Sequence, residues 1–415
     1  MKKAIALTAL LGIAGLSFAT NGDNLIGVSP ASRGMGGIGV GMPVGPTDSI
    51  FRNPAWMSQY KGFNVQFGGI LFMPKVKAKT NVTPMGPMNP PASATSEADM
   101  FVVPEVGIVQ QINNNLSFGI GAFGVSGMGV DYRNKDSRLA NMHTSFQFMR
   151  VIPTLSYKVN DAISVSGALH LAYGSLDMGA NMCNSTGTNC WNAGGGQSQT
   201  YGIGVQLGLA YNMADFVYAG ITYQSPVSMT YKRVFDSDGN GLFEDLKLQQ
   251  PMELALGLGV KPMDSLKVGM DLRWIGWSKA DGYKHFQWKD QLVVALGGEY
   301  KPMEKLALRA GYNYGKSPIR GGAKNPMNAN RIPNFSTPFS DFYIAWFNLI
   351  GFPAITEQHI TLGLGYEFTK TFGIDLAYKH AFNKKVKATD NAGMGMEVEA
   401  QNAQNAIAVG LNWKF

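Results

Sequence analysis

The sequence predicts an antiparallel transmembrane β-barrel of fourteen strands, and three observations carry that prediction. Apolar residues alternate with small or polar ones over segments of ten or more residues. The connections between those segments alternate between short and long. The chain closes an alternating segment on an aromatic residue, Phe415. Spanning helices are not an option: beyond the first 20 residues there is no run of about 20 apolar residues, the length a spanning helix needs.

In chain order, Lys2 and Lys3, the apolar run Ala4 to Leu16 and the small-x-small site Ser17-Phe18-Ala19 read as a signal peptide covering 1–19. Export without a later spanning helix leaves the periplasm, the outer membrane or secretion. Residues 20–60 alternate poorly and are rich in Gly, Pro and Ser, ending in Arg52-Asn53-Pro54-Ala55. A GxGxxG match at Gly34 to Gly39 recurs at Gly119 to Gly124. A dinucleotide site would need a preceding strand and a cytoplasmic cofactor, so no cofactor is expected.

From Gly62 the alternating segments follow: 62–73, 99–111, 116–125, 147–158, 162–178, 199–213, 216–232, 247–261, 264–280, 290–302, 305–317, 356–369, 371–387 and 399–415. Tyr201 to Tyr211 shows the pattern best, with Ile203, Val205, Leu207 and Leu209 on one face and Gly202, Gly204, Gln206, Gly208 and Ala210 on the other. Ten steps of about 3.3 Å at a tilt of roughly 45° rise about 23 Å, the height of an outer-membrane apolar band. The last segment puts Ile407, Val409, Leu411, Trp413 and Phe415 on its oily face. It is expected to pair with the first strand, leaving no open edge for lipid to meet. Phe415 is the expected contact for the barrel-assembly machinery.

Short turns between the segments should face the periplasm. The long connections at 74–98, 126–146, 179–198, 233–246, 281–289, 318–355 and 388–398 should be extracellular. Charges within strands fall opposite the oily face, as with Lys267, Asp271 and Arg273, Arg309, and Asp375 and Lys379. On the lipid face each would cost about 2–4 kcal/mol near the midplane, so they are expected in the lumen, where mutual pairing competes with a ligand role. Cys183 and Cys190 in a polar loop are expected to form a disulfide. The five histidines, 143, 170, 285, 359 and 380, form no catalytic spacing, which speaks against an enzyme. The net charge of +7 is dispersed along the chain, which suits contact with outer-membrane lipid and lipopolysaccharide and not nucleic acid. Asp236-Ser-Asp-Gly-Asn240 begins like a calcium loop, but Lys247 stands where the bidentate carboxylate belongs, so an Asp/Gly turn is the simpler expectation.

Several stretches in this order resemble the FadL-type outer-membrane transporters of long-chain fatty acids and other hydrophobic compounds. They are the Gly-rich N-terminal segment ending in Asn53-Pro54-Ala55, the pair Trp277-Ser278, the run Leu308 to Tyr314 followed by Ser317-Pro318-Ile319, and Pro353-Ala354-Ile355 leading to His359 to Gly363. The resemblance implies that residues 61–415 form a barrel plugged by a hatch at residues 20–60, with Asn53, Pro54 and Ala55 fixing the hatch's turn at the wall. It also implies a sideways exit at a kinked third strand, where Gly119, Gly121 and Gly124 would supply a kink or would instead accommodate the hatch.

Within the longest loop, Thr337 and Pro338 resemble a helix start and Gly351 a helix end. Phe339, Phe342, Tyr343, Trp346, Phe347 and Ile350 recur at helical spacing between them. The stripe is expected either to capture apolar ligand or to pack on the rim. A fatty-acid carboxylate would need a lumen cation, for which Arg150, Arg309, Arg273 and Lys267 are candidates; an aromatic or aliphatic hydrocarbon would need none. An adhesin whose lumen carries nothing is the remaining alternative.

Overall fold

The computed structural model describes residues 21–83, 86–184, 188–213 and 216–415; the expected signal peptide lies outside them. Fourteen antiparallel strands form one closed wall. In chain order they are β1 Phe63–Thr83, β2 Phe101–Gln111, β3 Leu116–Asp131, β4 His143–Lys158, β5 Ile163–Gly179, β6 Ser198–Met213 and β7 Val217–Gln224. The second half comprises β8 Glu253–Met263, β9 Leu266–Ile275, β10 Gln291–Met303, β11 Leu306–Gly315, β12 Gln358–Glu367, β13 Phe372–Asp390 and β14 Glu397–Lys414. β14 closes on β1 in an unbroken register from Asn64 opposite Lys414 to Thr80 opposite Val398, so every wall strand has two neighbours.

The oily face points outward. Ile203, Leu207 and Val409 are 68%, 57% and 42% exposed, whereas Gln206, Ala210 and Ala408 are buried inside. Aromatic rings gather at the periplasmic rim, where Tyr366, Phe368, Phe372 and Trp413 stack in sequence and Phe63 meets Phe415.

Three sequence expectations need correction. Segments 216–232 and 247–261 are not single strands: each breaks near a proline, Pro226 and Pro251, which cannot donate to the ladder. Beyond the break, Val227–Phe235 and Glu244–Gln250 form a hairpin that turns over the lumen, burying Val227, Met229 and Tyr231. The expected loop at 74–98 is largely strand, because β1 runs on to Thr83 and pairs with Gly86–Thr95. The segment 264–280 stops at Ile275, and Trp277–Lys279 form a 3-10 turn.

Inside the wall lies the N-terminal segment Asn21–Tyr60. It contains two short helices, α1 Pro30–Gly34 and α2 Pro46–Phe51, and a 3-10 helix Pro54–Gln59. Ser29 caps α1 through its hydroxyl, and Asn53 caps the 3-10 turn by accepting from the Ala55 amide at 3.2 Å. A loop helix, α3 Asp341–Gly351, lies over the extracellular end.

Candidate functional site

A plug can close a barrel only where backbone reaches backbone, and the inward glycines permit that. A Cβ on Gly220 of β7 would stand 1.9 Å from the Val40 carbonyl, and one on Gly311 of β11 would stand 2.1 Å from the Gly36 nitrogen. Polar wall side chains then hold the plug's loops. Asp271 accepts from the amides of Gly39, Val40 and Gly41 at 2.8, 2.8 and 2.9 Å. Thr361 accepts from the Gly36 amide and donates to the Gly34 carbonyl. Arg33 pairs with Glu105 of β2, and Arg52 lies 3.6 Å from Glu253 of β8. Asn53 donates to the carbonyls of Val40 and Leu209, both at 3.0 Å, so Asn53-Pro54-Ala55 lie against β6. A side chain at Gly311 forces the plug off the wall, an overpacking that costs about 1–3 kcal/mol. Gly311→Val should therefore raise influx of a small hydrophilic dye into intact cells at least about fivefold; influx equal to the wild type's would mean that the contact is slack.

β3 leaves its neighbour part-way up the wall. It pairs with β2 only from Gln111–Ser117 to Glu105–Phe123, and its register on β4 shifts between Gly124 and Ser126. Above that bulge the strip Asp23 to Leu25 takes the vacated edge: the Leu25 amide donates to the Val125 carbonyl at 2.9 Å, and the Gly127 amide donates to that of Asp23 at 3.0 Å. Leu25 packs there with Phe101, Val103, Ile70 and Phe72. Of the three candidate glycines, Gly124 adjoins the bulge and faces Val103. Gly119 makes room for Met57 of the plug, and Gly121 for the Phe123 ring.

The lumen cations separate by partner. Arg309 bridges Glu299 (2.8 Å) and Asp375. Arg273 lies 3.4 Å from Glu253, which it shares with Arg52. Lys267 is half-buried on β9. Arg150 is 5% exposed and forms no ion pair among the described residues. Its Nη1 meets His170 Nδ1 at 2.8 Å and Gln224 Oε1 at 2.7 Å, its guanidinium lies over Phe148, and its buried Nε hydrogen has no acceptor.

On the extracellular side the aromatic stripe divides. The helix begins later than expected, capped by Ser340 instead of Thr337, because Phe339 is held extended against Asn330. Phe342, Trp346 and Ile350 are buried beneath the helix, with Trp346 Nε1 donating to the Val82 carbonyl at 3.0 Å. Phe339, Tyr343 and Phe347 are half-buried and line an apolar pocket of about 210 Å³ shared with Phe235, Phe286 and Phe335.

A continuous chain of contacts runs from α3 to the plug's tip. Asn348 bonds Trp288 Nε1 and the Phe286 carbonyl, Trp288 packs on Tyr283 and Trp277, and the Tyr283 hydroxyl donates to Asp23. Cys183 and Cys190 are disulfide-bonded in a hairpin beside this pocket. The Asp236 to Asn240 loop is closed by its own amides, Gly239 and Gly241 donating to Asp236. Lys247 pairs with Asp281, whose carboxyl Lys247 and Lys284 pull down to about 2.

Sequence reasoning missed the plug-seating glycines, the anchor Asp271 and the Trp277–Tyr283–Trp288 cluster. The inward face of small residues was visible, but nothing in the alternation says which loop fills it.

Residues 28–334 match the family model described as outer membrane protein transport protein (OMPP1/FadL/TodX). Outer membrane protein P1 of Haemophilus influenzae is 22% identical over 88% of this chain and 89% of its own length. Among solved structures, the Pseudomonas putida toluene transporter TodX superposes with a TM-score of 0.69 at 19% identity, covering 94% of this chain and 99% of that one. A Pseudomonas aeruginosa FadL homologue gives 0.66 at 17% identity, covering 95% and 100%.

Proposed function

This chain belongs to the OMPP1/FadL/TodX family of outer-membrane transport proteins, and from that premise we propose that it takes up hydrophobic small molecules passively, long-chain fatty acids foremost. The ligand lands in the aromatic pocket beneath α3, enters the lumen above the plug, and leaves sideways where β3 parts from β2. The N-terminal strip at Asp23 to Leu25 stands in that exit, and the Asn348–Trp288–Tyr283–Asp23 chain links it to the pocket. No protein group needs to react, because apolar burial at about 25 cal/mol per Å² supplies the affinity.

The observation that favours a carboxylate over a plain hydrocarbon is Arg150, a buried wall cation whose partners are neutral and whose Nε is unused. The hydrocarbon reading has its own support: the 210 Å³ pocket suits an aromatic ring or a short stretch of acyl chain, since about 150 Å³ of apolar space suffices for benzene. Solved structures that share the fold also include toluene transporters.

Uptake of labelled oleate and labelled toluene, by cells with and without the gene, separates the two. Gene-dependent oleate uptake supports the fatty-acid reading and gene-dependent toluene uptake alone the hydrocarbon one; no dependence with either sinks transport. Phe339→Ala should reduce uptake about fivefold to tenfold at limiting ligand and little at saturation, as loss of part of a landing surface requires. An equal loss at both concentrations would place the defect elsewhere.

A further inference from the structure

We propose that the outward face at the extracellular end of β13, β14 and β1 binds the phosphate groups of outer-leaflet lipopolysaccharide. It rests on the barrel and its orientation, not on the transported ligand. β1, β13 and β14 are 21, 19 and 18 residues long, well beyond what the apolar band requires. On β1 the outward positions run Phe63, Val65, Phe67, Gly69, Leu71 and Met73, and then turn abruptly to Lys75, Lys77 and Lys79. On β13 they run from Phe372 through Leu376 and Tyr378 to Phe382, and then to Lys385 and Lys387. Both lysine runs begin about 28–30 Å above the periplasmic aromatic rim, just past an apolar band of about 25 Å and at the level of outer-leaflet headgroups.

The runs are some 300 positions apart in the chain, yet the register places them together: Lys77 and Lys385 flank Gln401, and Lys79 and Lys387 flank Glu399. All five lysines are exposed. Lys385 pairs with Glu399 and Lys387 with Glu397, while Lys75, Lys77 and Lys79 form no ion pair among the described residues. Five lysines against these two glutamates leave a net charge of three. Ser93 and Thr95, exposed opposite Lys79 and Lys77, add hydroxyls of the kind that bind sugar. Outward positions at this height on the far side of the barrel are neutral or acidic: Ser145 and Gln147 on β4, Asp177 on β5 and Gln199 on β6.

Two features identify the occupant. The face looks along the membrane plane, so whatever it meets stands beside the barrel at headgroup height and carries negative charge. The opposite side of the same strands is packed: Val76, Ala78, Val386, Ala388, Val398 and Ala400 are buried in the core that includes Trp346. The backbone carrying the lysines is therefore held in place, with successive lysines on one strand about 6.6 Å apart. That matches a ligand with fixed, multiple phosphates better than a singly charged lipid.

The test uses the full chain in mild detergent, with native mass spectrometry reading bound lipid. The probes are diphosphoryl lipid A, dephosphorylated lipid A and phosphatidylglycerol. Wild type should hold diphosphoryl lipid A at least about tenfold more tightly than either other lipid. The combined variant Lys75→Gln, Lys77→Gln, Lys79→Gln, Lys385→Gln, Lys387→Gln should lose that preference, and Lys232→Gln with Lys316→Gln should keep it. Heat-modifiable migration on gels reports folding, and if the fivefold variant fails to fold, the triple change at Lys75, Lys77 and Lys79, which breaks no ion pair, is read instead. Undiminished preference in the folded variant overturns the proposal, as does phosphatidylglycerol binding equal to that of lipid A.

Discussion

Deleting residues 21–60 should turn a closed barrel into an open pore, raising single-channel conductance in planar bilayers at least about tenfold over the intact protein. The wall has its own ladder, closed by β1 on β14, and only the upper edge of β3, which Asp23 to Leu25 cover, loses a neighbour with the plug. What the deletion leaves behind is polar: Glu105, Glu253, Asp271, Thr361 and Asn313 lose their plug partners and face a lumen that water now fills. Solvated carboxylates carry little penalty once wet, so the shell should survive and still migrate as a folded barrel. Gly311→Val is the graded version, displacing the plug locally where deletion removes it. A truncated chain that folds and conducts no better than the full one would mean that the loops, the Val227–Phe235 hairpin above all, close the barrel by themselves.

The wall was legible because lipid enforces a simple rule on it: every second residue must be oily over a fixed height, and a lumen charge betrays the other face. Ile203, Leu207 and Val409 follow that rule and lie where it puts them. The rule stops at the wall. Inside it, Val227 and Met229 alternate as well as any wall strand does, yet their oily face buries against Gly202 and Gly204 instead of lipid. Local alternation cannot distinguish those two apolar surroundings; only Pro226 and Pro251 hinted at the break.

The plug was less legible still. Its fold comes from pairings such as Gly36 with Thr361, 325 positions away, in which a backbone amide meets a hydroxyl with no hydrophobic periodicity to announce it. The lumen cations show the same limit. Four looked alike in sequence, and only the fold shows that Arg309 and Arg273 face carboxylates while Arg150 faces His170 and Gln224.

That difference makes Arg150 the residue whose loss should change selectivity most. A charge-assisted hydrogen bond is worth about 1.5–3 kcal/mol when its partner stays buried. Arg150→Gln should therefore cut oleate uptake by roughly thirtyfold while leaving toluene uptake within about twofold. The substitution breaks no ion pair among the described residues, so the barrel should fold and migrate normally. Arg150→Lys restores the charge but not the Nε donor, and should recover only part of the loss. Arg309→Gln makes the contrast: it leaves Glu299 and Asp375 facing each other without their cation, a change that costs about 3–5 kcal/mol and should lower thermal stability and the uptake of both ligands together. Oleate uptake by a folded Arg150→Gln protein at the wild-type rate would remove Arg150 as the carboxylate's partner, and with it the ground for preferring a fatty acid to a hydrocarbon.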